Sequence, residues 1–167
     1  MAIITLNNRS INRSDTASAD QVWTATSATA SDFQAGGVNT PFFFAKGSQA
    51  LDDATTTKLT LTEVYDTDST YATGTFTPAV AGKYHIFGQI FCDADAMNLH
   101  IYKNGANFSD VRFNNGENSE NSVHVNVIDE ANTTDYYELY AYQASGGTVT
   151  TESSFQRTSF GGYKIIT

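Results

Sequence analysis

From Pro41 onward, apolar and polar positions alternate at period two in one short segment after another. Lys58-Leu-Thr-Leu-Thr-Glu-Val64 steps between two faces, and Leu99-His-Ile-Tyr102 does the same before the tight-turn pair Asn104-Gly105. Val123, Val125 and Val127 line one face, with His124 and Asn126 on the other. Three aromatic or β-branched runs, PFFFAK from Pro41, KYHIFGQIFC from Lys83 and DYYELYAYQ from Asp135, read as further strands. Gly146-Gly147 turns the chain into Thr148–Thr151, and Phe160–Ile166 forms a closing strand. No segment carries a helical apolar stripe. About eight short strands with turn signals between them predict an all-β antiparallel sandwich or barrel.

The first part of the chain has a different texture. It is rich in Ser, Thr, Ala and Asn, and Trp23 is its only large aromatic before Phe33. Gly36-Gly37 then punctuates the sequence. The expected division is an extended N-terminal arm over residues 1–38, holding at most a short strand or two, and a β domain over residues 39–167.

Composition narrows the function classes. The 167 residues suit one domain with a sizeable core. Nine basic against eighteen acidic residues give a net charge of −9 with no Lys/Arg cluster, a poor match to phosphate backbones, so no nucleic-acid partner is expected. No apolar run approaches the ~20 residues of a membrane span. Met1–Leu6 is too short for a signal-peptide core, and Cys92, the single cysteine, forms no intrachain disulfide, so synthesis in a cytosol without export is expected.

Within YATGTFTPAVAGKYHIFGQ, an aromatic and a glycine precede a Phe and Pro, and Gly-x-Tyr then opens a strand. These positions are Tyr71, Gly74, Phe76, Pro78, Gly82 and Tyr84. Lys103-Asn104-Gly105 follows, and the chain ends TSFGGYKII before its last threonine. In order and spacing, these motifs resemble the globular head of the complement C-one-q type and its tumour-necrosis-factor relatives, over roughly Pro41 to Ile166. The resemblance implies a jelly roll of two antiparallel sheets assembled as a homotrimer. The opening MAIITLNNRSINRS and the Ser/Thr-rich arm resemble the N-termini of small structural proteins of tailed, especially marine, bacteriophages. That implies assembly in a host cytoplasm and a place on the virion surface.

Candidate sites follow from both readings. In the tyrosine strand, Tyr136, Glu138, Tyr140 and Tyr142 share one face, and Tyr137, Leu139 and Ala141 the other. One face meets the core, which leaves Tyr136, Tyr140 and Tyr142 as trimer-interface candidates together with Phe42, Phe44, Phe160 and Tyr163. Ile3, Ile4, Leu6, Arg9, Ile11, Arg13 and Trp23 are the candidate docking residues of the arm, whose composition cannot bury enough to order itself alone. Asp66-Thr-Asp68-Ser69 places oxygen ligands at alternate positions, as calcium loops do, without the glycine and distal glutamate of an EF-hand. No cofactor is expected beyond that weak calcium possibility. His85, His100, His124 and Cys92 complete no catalytic motif, and no enzyme activity is expected.

The expectation is therefore a non-enzymatic virion structural protein. In the leading form it is a trimeric capsid-decoration, or cement, protein held to the major capsid protein or another virion protein through its arm. The alternatives are a receptor-binding or adhesin tip on a tail or vertex, and a calcium-dependent lectin-like module.

Overall fold

The computed structural model describes residues 21–25, 31–35, 39–114 and 120–165. The chain divides into two units, Met1–Val38 and Asn39–Thr167. In the first, β1 (Gln21–Ala25) and β2 (Ser31–Ala35) pair antiparallel, with Trp23 opposite Phe33. The arm residues Ile3, Ile4, Leu6, Arg9, Ile11 and Arg13 lie outside the described residues.

The second unit is a β-sandwich of jelly-roll type. Its strands are β3 (Phe42–Lys46), β4 (Ala50–Leu51), β5 (Thr57–Lys58), β6 (Thr62–Asp66), β7 (Tyr71–Ala72), β8 (Thr75–Phe76), β9 (Gly82–Asp93), β10 (Ala96–Lys103), β11 (Ala106–Asn114), β12 (Glu120–Ala131), β13 (Tyr137–Gln143), β14 (Val149–Thr150) and β15 (Ser159–Lys164). A single 3-10 turn, Ser154–Gln156, precedes the last strand. The first sheet runs β12-β9-β15-β3-β6. The second runs β11-β10-β13-β8-β7, with β5 also on β13, and β14 pairs with β4 separately. Every pairing is antiparallel.

The period-two pattern explains the layers. Along β9, Tyr84, Ile86, Gly88, Ile90 and Cys92 are buried, while His85, Phe87, Gln89 and Phe91 alternate with them. Along β13, Tyr137, Leu139 and Ala141 face the core. The sheets meet closely at Gly88, where a Cβ would lie 2.5 Å from Leu139 Cδ1. At one end of the core, Phe43 stacks on Phe76 (4.3 Å between centroids) and Tyr71 (4.9 Å) and meets Phe160 edge-on at 4.9 Å. The motif residues build this region. Tyr71, Phe76, Pro78 and Tyr84 are buried, and the Tyr71 and Tyr84 hydroxyls donate to the Leu61 and Val80 carbonyls. Gly74 turns between β7 and β8 at φ +78, with the Leu59 carbonyl oxygen 2.5 Å from where a Cβ would stand.

Several strands differ from expectation. The alternating run Lys58–Val64 is not one strand, because the chain crosses between sheets there: β5 joins β13 and β6 joins β3. Gln49 holds the crossing, its Nε2 donating to the Lys58 carbonyl and its Oε1 accepting from Thr60 N, each at 2.8 Å. β11, sequence ANFSDVRFN, lacks a continuous apolar face because this end strand has no fully buried residue. β9 and β12 each run twelve residues, longer than the short strands expected.

The close approach at Gly88 yields a test by denaturant unfolding. Gly88→Ala is expected to cost about 1–3 kcal/mol by overpacking and Leu139→Ala about 2–5 kcal/mol by leaving a cavity. Together they should cost clearly less than the sum, because the new methyl occupies the space vacated by Leu139.

Candidate functional site

The outer face of the first sheet is built by alternation. Phe43 and Ala45 point into the core, so Phe42 and Phe44 point away from it. In β15, Phe160 is 0% exposed and packs against Phe43 and Tyr71, while Tyr163 lies three residues on, facing the opposite way. Backbone register lines up rows across the sheet. One runs Asn126, Phe87, Gly161, Phe44, Tyr65; the next runs Ile128, His85, Tyr163, Phe42.

Gly161 is required by the first row. A Cβ there would stand 2.4 Å from Phe87 Cζ, so only a hydrogen lets the Phe87 ring lie over the strand. Around it, His85 sits 5.4 Å from the Tyr163 ring and 5.5 Å from the Phe87 ring, and Phe42 lies 6.3 Å from Tyr65. His85 Nδ1 is buried without a hydrogen-bond partner. Tyr65 and Ile128 are exposed at the margins. Two hollows open on this face. One, about 510 Å³, is bordered by Phe44, Phe87, Gln89 and His124; the other, about 360 Å³, lies among Phe42, Phe44, Tyr65 and Tyr163.

The outer face of the second sheet has another chemistry. Tyr102 stacks on Tyr140 at 4.2 Å. Glu138 accepts from Lys58 Nζ at 2.6 Å, Thr75 Oγ1 at 3.1 Å and the Tyr140 hydroxyl at 3.3 Å. His100 is covered rather than open, hydrogen-bonded to Asn107 and edge-on to Tyr102, and its burial pushes its pKa down. Lys58, Thr75, Glu138 and Tyr140 thus satisfy one another on this face.

The interface candidates therefore fall in three places. Phe42, Phe44 and Tyr163 share the first sheet's outer face, and Tyr136, Tyr140 and Tyr142 belong to the tyrosine side of the second. Phe160 is corrected to the protomer core, since its position in the register points it inward. Phe87, Tyr65 and His85 join the first group and were passed over. The signal was present in KYHIFGQIFC, whose second face reads His85, Phe87, Gln89, Phe91.

The acidic candidates serve their own loop. Asp66 Oδ1 accepts from Thr70 Oγ1 and Asp68 N, and Oδ2 accepts from Tyr71 N at 2.7 Å. Partial burial opposes ionisation, but these bonds outweigh it and hold the carboxyl below the usual range. Asp68 Oδ2 accepts from Thr67 Oγ1. Among the described residues, no group of three or more His, Cys, Asp or Glu could hold a metal ion. Cys92 donates to Met97 Sδ at 3.0 Å, and burial pushes its thiol up to about 11. No helix among the described residues is long and apolar enough to cross a membrane.

A charged clasp lies where β10, β12 and β13 meet. Lys103 Nζ sits 2.6 Å from Asp129 Oδ2 and 3.1 Å from Asp135 Oδ2, and the Tyr137 hydroxyl donates to Asp129. Hydrogen bonds from Asn104 Nδ2 and Asn132 N, reinforced by Lys103, hold the Asp135 carboxyl down at about 2.

No family model matches the chain, and no curated protein matches it by sequence. Solved structures do match by fold. Murine APRIL superposes with a TM-score of 0.60 at 13% identity, covering 74% of this chain and 98% of that one. The globular domain of zebrafish complement 1qA gives 0.58 at 14% identity, covering 75% and 97%. Eiger TNF from S. frugiperda gives 0.56 at 11%, covering 74% and 91%. The fold is thus the jelly roll of tumour-necrosis-factor and complement-head proteins.

The clasp sets an acid limit on stability. Because the folded pKa of Asp135 lies below its unfolded value, its contribution is full above pH ~4 and is lost as pH falls to ~2. Asp135→Asn should be less stable than the parent by about 1 kcal/mol at pH 7, once solvent screening of the clasp is allowed for. The gap should close between pH 4 and pH 2 in urea titrations.

Proposed function

We propose that this chain is a non-enzymatic structural protein that self-associates as a homotrimer through the outer face of its first sheet. Residues 1–38 are the attachment segment, and the setting is a virion surface. The observation that carries the self-association is the charge pattern of that face. The chain holds 18 acidic and 9 basic residues, so most of its surface repels a second copy. Yet the rows through Gln89, Phe87 and His85 contain Thr62, Lys46, Ser159, His124, Tyr65, Phe44, Gly161, Asn126, Phe42, Tyr163 and Ile128, and no carboxylate. An aromatic surface free of like charge is where another copy can dock.

This reading redistributes the interface candidates. The sandwich's two outer faces point in opposite directions, so a single closed threefold contact favours the Phe42, Phe44 and Tyr163 side. The tyrosine face of the second sheet then stays in water, in keeping with its mutually bonded Lys58, Thr75, Glu138 and Tyr140. The virion setting is supported by the resemblance of the first fourteen residues and the Ser/Thr-rich arm to phage structural proteins. Within it, capsid decoration through contact with the major capsid protein is the leading role. A tail or vertex adhesin would use the same head in far fewer copies. The hydrogen bonds that Asp66 accepts within its own loop favour a structural role for that loop over the calcium-lectin reading.

Sedimentation equilibrium should give three times the 18.1 kDa protomer mass, and Phe44→Glu or Phe87→Glu should reduce it to one. A parent protein that sediments as a monomer at micromolar concentration overturns the trimer. Residues 39–167 alone are expected to remain a folded trimer that no longer joins particles. Antibody-gold counts on intact particles separate the roles: hundreds of grains over the head for decoration, few at the tail or one vertex for an adhesin, and none if the virion setting is wrong.

A further inference from the structure

We infer that Phe155 is an intersubunit knob, seated in a second copy of this chain within the hollow bordered by Phe44, Phe87, Gln89 and His124. The inference rests on the self-association proposed above and adds its anchor. Phe155 is 89% exposed, the most exposed of the large apolar side chains described. It is also held in an unfavourable backbone conformation, with φ +52 at Phe155 and +61 at Gln156, a region that side chains other than glycine's seldom adopt. Neither feature helps the isolated protomer, and strain of this kind collects where a side chain must be presented.

The presentation is built. Arg157 lays its guanidinium over Phe91, 4.4 Å from the ring centroid, and 5.6 Å from that of Phe155. Glu152 Oε2 fixes Arg157 at 2.7 Å, and Glu152 N donates to the Phe91 carbonyl at 2.9 Å. Gln89 Nε2 donates to the Gln156 carbonyl and ties the turn to β9. The ring therefore stands out from a braced turn, already in place for docking. Glu152 and Arg157 cancel each other's charge, so the knob reaches a neighbour as a neutral apolar group.

The receiving hollow has about 510 Å³ of open space, two phenylalanine rings on its border and no acidic side chain. Charge selects the occupant: an acidic chain meets least repulsion from another copy of itself here. Gln156 borders the hollow of its own protomer, so knob and hole stand side by side. In a head-to-tail ring, a short offset between knob and hole puts their contact close to the symmetry axis. Aromatic residues desolvated near the centre of an interface carry most of its affinity.

The test uses the full-length protein in sedimentation equilibrium, with thermal melting to verify folding. Phe155→Ala should leave the fold intact, since the side chain is exposed, and weaken trimer association by about 30-fold or more. Phe155→Leu, which keeps an apolar knob, should retain most of the association. Phe155→Ala combined with His124→Ala should weaken association by less than the product of the separate effects, because the two residues meet across the contact. A parent trimer that Phe155→Ala leaves unweakened overturns the knob while the self-association stands. So does a loss that simply multiplies with that of His124→Ala. A monomeric parent overturns both.

Discussion

Phe43 is the residue on which the sandwich turns. It comes from the first sheet and stacks on Tyr71 and Phe76, which come from the second. Phe160 closes the group from the neighbouring strand, and Tyr84 and Tyr137 extend it through Phe76. Aromatic contacts of this kind contribute about 0.5–1.5 kcal/mol each beyond the area they bury. The cluster also decides what lies outside. Once Phe43 and Ala45 are fixed inward, the pleat leaves Phe42 and Phe44 no direction but outward. The core and the aromatic outer face are two sides of one constraint, written in a run of three phenylalanines.

The two outer faces divide the labour of the molecule. On the second sheet, Lys58, Thr75, Glu138 and Tyr140 satisfy one another beside a stack of tyrosine rings, and hydroxyl-bearing rings of this kind tolerate water. On the first sheet phenylalanine rings outnumber tyrosines, and the imidazole of His85 keeps a buried nitrogen without a partner. A surface with that composition gains by being covered. The acidic excess of the chain makes the contrast sharper, because on this sheet's outer face Asp93, Glu120 and Glu130 stand at the ends and the central rows hold no carboxylate.

Much of this was legible in the sequence, and the reasons differ by element. The inward faces of β9 and β13 follow directly from period two, and the Asn104-Gly105 turn announces itself through residues that tolerate positive φ, here +54 and +79. The motif from Tyr71 to Tyr84 located the aromatic core. β11 was not legible, because none of its residues is fully buried and so no period-two pattern is left, whereas the end strand β12 has a buried face and shows one. The break within Lys58–Val64 was hidden because Leu59 and Leu61 are both buried while the chain changes sheets between them, and the agent of the change, Gln49, lies outside the run, nine residues before Lys58. Phe160 belongs to the core while Tyr163 faces outward, because the two are an odd number of residues apart on one strand and cannot share a face. Phe155 left no sequence signal, since its exposure and backbone conformation are properties of a turn.

Gly161 shows how relief on a protein surface can be governed from beneath. The residue projects nothing, yet the Phe87 ring lies flat because nothing projects there. Any side chain at that position would lever the ring upright and change a plain into a ridge, with no change to the ring itself. The contour of this face is therefore encoded one strand away from the residues that display it. Variation at a silent glycine would alter what the surface fits while every displayed side chain stayed the same.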